Sequence, residues 1–252
     1  MTTGLFVLLA GAGLAAGLCG SIAGLASLFS YPALLAAGLP ATTANITNTV
    51  SLAVSSIGSV TGSRPELVGQ ARAARRLGVV CLVGGATGAG LLLITPPGVF
   101  QRVVPFLVAG ASLLLLVGRP GPEAPLSGSP GTERRDRLTV LGVLAVAVYS
   151  GYFGAAAGVI MLALLLAATP ESLHRINALK NVLAGLANTV AAVAFAVFGH
   201  VAWWCVLPLT LGLLLGSWLG PGVARRLPSN PLRIGIAVAG LGLAVKLGLD
   251  AF

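Results

Sequence analysis

The chain has 252 residues, of which 56% are hydrophobic and only 8% charged, and its formal net charge is +9. A soluble domain is roughly one-quarter charged, so this composition excludes an ordinary water-soluble globule and points to a protein of several membrane spans. The excess of basic residues does not mark a nucleic-acid binder, because the arginines fall in three loop clusters between apolar runs. These are Arg64, Arg72, Arg75 and Arg76, then Arg134, Arg135 and Arg137, then Arg225, Arg226 and Arg233. Basic loops flanking apolar runs are the positive-inside pattern, with membrane lipid headgroups as the expected partner and no nucleic acid.

In chain order the apolar segments are residues 5–39, 41–60, 77–94, 103–117, 138–168, 176–198, 201–219 and 234–249. A helix crossing the roughly 30 Å hydrocarbon core needs about 20 residues. The first segment has 35 (39−5+1) and the fifth has 31 (168−138+1), too many for one straight span. Each is read as a hairpin of two short or partial helices, broken at its glycines and, in the first, near Tyr31-Pro32. The apolar start lacks a basic region before it, so it reads as a retained span. Residues 119–137, rich in Pro, Gly, Ser and charge, form the expected cytoplasmic linker between a first transmembrane repeat, 1–118, and a second, 138–252. Cys19, Cys81 and Cys205 all lie in apolar runs and give no disulfide framework.

The two overlong segments carry the same pattern. Gly17, Gly20 and Gly24 recur as Gly151, Gly154 and Gly158, each 134 residues on (151−17, 154−20, 158−24). Downstream, polar positions match at an offset of 132 (177−45): Asn45 with Asn177, Asn48 with Lys180, Thr49 with Asn181, Ser56 with Asn188. They fall at i, i+3, i+4 and i+11, one face of a helix. The chain is therefore an internal duplication in which each half offers a Gly-rich break and a polar helix face.

The basic loops change place between the halves. In the first half one precedes the third segment, whereas the equivalent loop of the second half, 199–202, is nearly uncharged and the basic loop follows instead. If basic loops face the cytoplasm, the two copies point in opposite directions. The expected fold is thus an all-α polytopic membrane protein of two inverted repeats, each a Gly-rich broken-helix hairpin followed by three transmembrane helices; the alternative, eight simple spans in parallel repeats, scatters arginines on both faces. Both termini would be external, with Arg175 and Lys180 on the cytoplasmic side.

Inverted repeats with broken helices are the architecture of secondary transporters, whose sites lie where the repeats meet. The broken ends expected at Gly20–Ser21 and Gly154–Ala155 would offer free N–H groups to an anion. Ser27, Ser30 and Tyr31 stand nearby, and Asn45, Asn48, Thr49, Asn177, Asn181 and Asn188 would complete a neutral polar cavity to which Lys180 adds one positive charge. No metal site and no cofactor are expected.

Several of these stretches resemble the sulfite exporter TauE/SafE family of membrane transporters. They are Gly17-Leu-Cys-Gly-Ser-Ile-Ala-Gly24, Pro32-Ala-Leu-Leu-Ala-Ala-Gly-Leu-Pro40, Ala44-Asn-Ile-Thr-Asn48, Gly151-Tyr-Phe-Gly-Ala-Ala-Ala-Gly158, and Asn177-Ala-Leu-Lys-Asn181 through Asn188. The likeness covers essentially the whole chain. It implies a secondary transporter exporting a small sulfur-containing anion, such as sulfite, sulfoacetate or a related organosulfonate, across the plasma membrane. An anion channel or an uptake permease for another small anion is the alternative, and a homo-oligomer is left open. An enzyme is not expected, because no span interior offers a Ser–His pair, paired carboxylates or clustered metal ligands. Gly11-Ala-Gly13-Leu-Ala-Ala16 fits a dinucleotide fingerprint only in spelling, since no strand precedes it and no acidic residue follows about 20 residues on.

Overall fold

The structure is a computed structural model that describes residues 2–117, 132–169 and 171–224, together with seven positions between 238 and 249. Regular structure among the described residues is helical throughout. In order the elements are α1 (Thr3–Ala23), α2 (Ser27–Ala36), α3 (Ala41–Gly62), a 3-10 turn (Arg64–Leu67), α4 (Ala71–Ile94), α5 (Pro97–Val117), α6 (Thr132–Tyr152), α7 (Ala157–Ala168), α8 (Leu173–Phe198) and α9 (Trp203–Ala224). Among the described residues, four stretches are long and apolar enough to cross a membrane: Thr3–Ile22, Ala71–Ile94, Leu173–Phe198 and Trp203–Val223. With helices of this composition the chain is a multi-pass membrane protein.

Both overlong segments break as expected, but unevenly. The first member of each hairpin is a full-length helix of 21 residues, and only the second is short, 10 residues in α2 and 12 in α7. The break also lies earlier than Tyr31-Pro32, since Pro32 sits inside α2. Gly24 stops α1 instead. It adopts the left-handed conformation (φ 76°), its N–H bonds back to Gly20 O at 2.7 Å, and the Leu25 N–H reaches Cys19 O at 3.4 Å. A residue with a side chain rarely adopts that conformation, whereas glycine does so freely. Gly154 (φ 74°) ends α6 in the same way. The expected linker lies partly outside the described residues, and α6 already begins at Thr132. Of the expected segment 234–249, the described positions are helical.

Glycine lets the long helices touch backbone to backbone. A Cβ on Gly13 would lie 2.3 Å from Leu209 O, and one on Gly17 would lie 2.4 Å from Leu213 O. From the other side, Gly212 faces Ala10, Gly216 faces Leu14 and Gly220 faces Ser21. The partners rise together along both helices, so α1 and α9 run in the same direction. By the same reading α3 runs with α9, because Gly58 meets Leu214 and Gly62 meets Trp218. Helix α4 runs with α6 (Gly84 against Ala147, Gly88 against Val148) and with α8 (Gly78 against Leu186, Gly85 against Val190). Against α3, however, α8 runs the opposite way, since Ser56 meets Gly185 while Ile46 meets Gly199. Close approach of small residues is how helices associate where lipid removes the hydrophobic drive between them.

One end of the bundle gathers most of the described arginines. The starts of α4 and α8 and the turn before α4 meet there: Arg76 pairs with Asp136, Arg175 pairs with Glu171 and donates to Val68 O, and Gln70 donates to Arg175 O at 2.9 Å. Apolar clusters fill the spaces on either side of the broken helices. One joins Leu9, Leu25, Tyr31, Phe100, Phe153 and Phe195, and the other joins Cys81, Val143, Met161, Leu165 and Leu183.

Candidate functional site

The two breaks meet. Gly24 and Gly158, a matched pair of the duplication, lie against each other so closely that a Cβ on either would be about 2.6 Å from the other's Cα. Beside that contact is a cavity of about 80 Å³ walled by both hairpins and by α3, α8 and α9. Of the residues expected at the site, Gly20, Ser21, Ser27, Thr49, Gly154, Lys180, Asn181 and Asn188 line it. Ser30, Tyr31, Asn45, Asn48 and Asn177 do not.

Those five residues are placed around the breaks instead. Asn45 donates from Nδ2 to Tyr152 O at 2.8 Å, and its counterpart Asn177 donates to Ser21 O at 2.9 Å. Each half therefore lends an asparagine to the last turn of the other half's broken helix, where carbonyls have no intrahelical partner. Ser30 returns its proton to Ala26 O in its own helix, Tyr31 packs edge-on against Phe153 at 5.4 Å, and Asn48 is buried. Thr49, Ser56, Lys180, Asn181 and Asn188 line the cavity, whereas Asn45 and Asn177, nearer the start of each polar helix, bond to a backbone end.

The polarity of the breaks also differs from expectation. Gly20–Ser21 and the residues before Gly154 are helix C-termini, which present carbonyls, because the left-handed glycines close the preceding helix. The N–H groups left over belong to the starts of α2 and α7, at Ala26–Ser27 and at Gly158, since the Ala157 N–H already donates to Gly154 O at 3.2 Å, and these residues line the same cavity. Two helix N-termini, each carrying a partial positive charge, thus open on one space.

Lys180 is 1% exposed, and its ammonium donates to Gly20 O at 3.3 Å. Among the described residues no Asp or Glu lines the cavity, and Asp136 and Glu171 pair with arginines at the arginine end. Asn181 is also buried, with its Nδ2 unpartnered. A buried cation without a counter-charge costs several kcal/mol, roughly, unless something neutralises it. Among the described residues, the charged side chain at this cavity is thus a cation.

The serines on the far wall, Ser55, Ser56, Ser59 and Ser217, line the cavity too. Sequence reading passed over Ser217, which stands alone in the apolar run of α9. Its signal was the neighbouring Gly216, a small pair that places α9 against α1 and α3.

A family model for the sulfite exporter TauE/SafE matches residues 9–247. The chain belongs to the TauE/SafE family. Among relatives, a probable membrane transporter protein, YfcA, of Escherichia coli (strain K12) is 25% identical over 240 residues, covering 94% of this chain and 87% of the relative. A probable membrane transporter protein of Haemophilus influenzae is 23% identical over 244 residues, covering 94% and 92%. No solved structure matches. The TauE/SafE assignment makes the protein a membrane transporter, and the cavity at the meeting of its two breaks is where its cargo would be sought.

Proposed function

We propose that this TauE/SafE protein is a secondary transporter that exports a small sulfur-containing anion, sulfite, sulfoacetate or a related organosulfonate, across the inner membrane of a bacterium. One observation carries the anion reading: Lys180 is buried at a cavity that no described carboxylate lines and on which two helix N-termini open. The charge that is missing is the charge the cargo brings.

The architecture that suits this task is a pair of inverted repeats, residues 1–118 and 138–252, joined by a linker. Support comes from helix directions. Counterparts α3 and α8 run oppositely; α1 and α3 run with α9, while α6 and α8 run with α4. Since α1 and α3 share a direction, α2 returns the chain and the first hairpin makes no net crossing. The arginine end, with the starts of α4 and α8, is then cytoplasmic, and the start of α1 is external. A site between inverted repeats can be opened to either side by rocking one half on the other.

Thermal denaturation of the purified full chain tests the reading. Sulfite and sulfoacetate should raise Tm by about 2 °C or more at saturating concentration, and chloride should not. Lys180→Ala should elute as a folded protein and lose the shift. An undiminished shift in that variant, or an equal response to chloride, refutes the anion site.

A further inference from the structure

The hydrogens around the cavity are unevenly distributed. A hydroxyl has one hydrogen to give, and on the α3–α9 wall each is already given to a backbone carbonyl. Thr49 donates to Asn45 O at 3.0 Å, Ser55 to Leu52 O at 2.8 Å, Ser56 to Leu52 O at 3.1 Å, Ser59 to Ser56 O at 3.2 Å and Ser217 to Ser55 O at 2.9 Å. What this wall offers a ligand is lone pairs. The α8 wall is the reverse. Asn181 has an unpartnered Nδ2, Lys180 has three hydrogens and gives one to Gly20 O, and Asn188 accepts from Ser150 on its oxygen at 3.3 Å, which leaves its NH₂ for the cavity.

Resting on the anion site proposed above, we infer that the cargo is a singly charged small anion that also carries a hydrogen-bond donor. Its charged oxygens lie toward Lys180 and Asn181 on α8, and its donor lies toward the hydroxyl oxygens of α3 and α9. The single charge follows from the single cation, since Lys180 is the one Lys or Arg that lines the cavity among the described residues. The donor follows from desolvation. A ligand filling this space displaces water from the serine wall, and a tail with no hydrogen leaves those acceptors unsatisfied. Sulfoacetate, doubly charged and ending in acceptors, fits the wall less well than a hydroxyalkanesulfonate or hydrogen sulfite.

Two sulfonates of equal heavy-atom length separate the possibilities: 2-hydroxyethanesulfonate, which ends in a hydroxyl, and propane-1-sulfonate, which ends in a methyl. Calorimetric titration of the full chain in detergent should give at least about tenfold tighter binding for the hydroxyl compound. Ser59→Ala, and independently Ser55→Ala, should shrink that ratio several-fold without weakening the binding of propane-1-sulfonate, a pattern that general damage to the fold would not produce. Equal affinity of the two sulfonates in the wild-type protein overturns the inference and leaves the anion site standing. No response to either sulfonate or to sulfite overturns the anion site and the inference with it.

Discussion

The glycines of the repeated motif do three different jobs, although their spacing is identical in the two halves. Gly17 lets α1 lie against α9, Gly20 clears the Ala26 side chain, and Gly24 both turns the chain and touches Gly158. Spacing made the duplication legible, but the partners come from elsewhere in the chain and no local pattern names them. Gly24 and Gly38 separate backbone strain from contact. Both have positive φ, 76° and 86°, but a Cβ on Gly38 meets open space while one on Gly24 would lie 2.5 Å from the Gly158 backbone. Gly38→Ala should therefore cost only the left-handed penalty, about 1 kcal/mol. Gly24→Ala should add overpacking of roughly 1–3 kcal/mol at the meeting point of the halves. Thermal melts of the two variants check this, and a Gly24→Ala protein as stable as Gly38→Ala would show that the two breaks do not need to touch.

At the scale of elements, helix class and most span positions could be read directly, because apolar runs near 20 residues admit few structures in lipid. The length of α1 could not. The expected partial helix is a full one of 21 residues, since nothing before Gly24 interrupts it and Pro32 is tolerated inside the short helix that follows. Nor was the direction of dipole at the breaks legible, because a glycine can close one helix or precede the next, and only its φ says which. Helix direction leads to a topological expectation. Val68, at the arginine end, and His200, at the other, are both exposed, while the native cysteines are all buried and give little background. With a membrane-impermeant maleimide on intact cells, His200→Cys should label and Val68→Cys should label only after the membrane is opened. The opposite result would reverse the orientation assigned to the arginines.

For the whole molecule, the distribution of acids argues for what drives transport. Of the described carboxylates, Asp136 and Glu171 pair with Arg76 and Arg175 near the arginine end, Glu66 lies in the turn at that end, and none lines the cavity. A carrier that couples to protons or sodium usually keeps an ionisable acid along its path. This one has a lysine and neutral amides, which neutralise an anion without taking a proton from one side to the other. With the cytoplasm negative, each negative charge that leaves gains about 2.3 kcal/mol per 100 mV, roughly a fifty-fold concentration ratio. We therefore expect electrogenic efflux driven by membrane potential alone. Proteoliposomes loaded with sulfite and given a valinomycin potential, negative inside, at equal pH on both sides should release it faster than liposomes without the potential, and Lys180→Ala should abolish the difference. Release that ignores the potential but follows an imposed pH gradient would mean that a proton travels with the anion and that the carrier is a symporter.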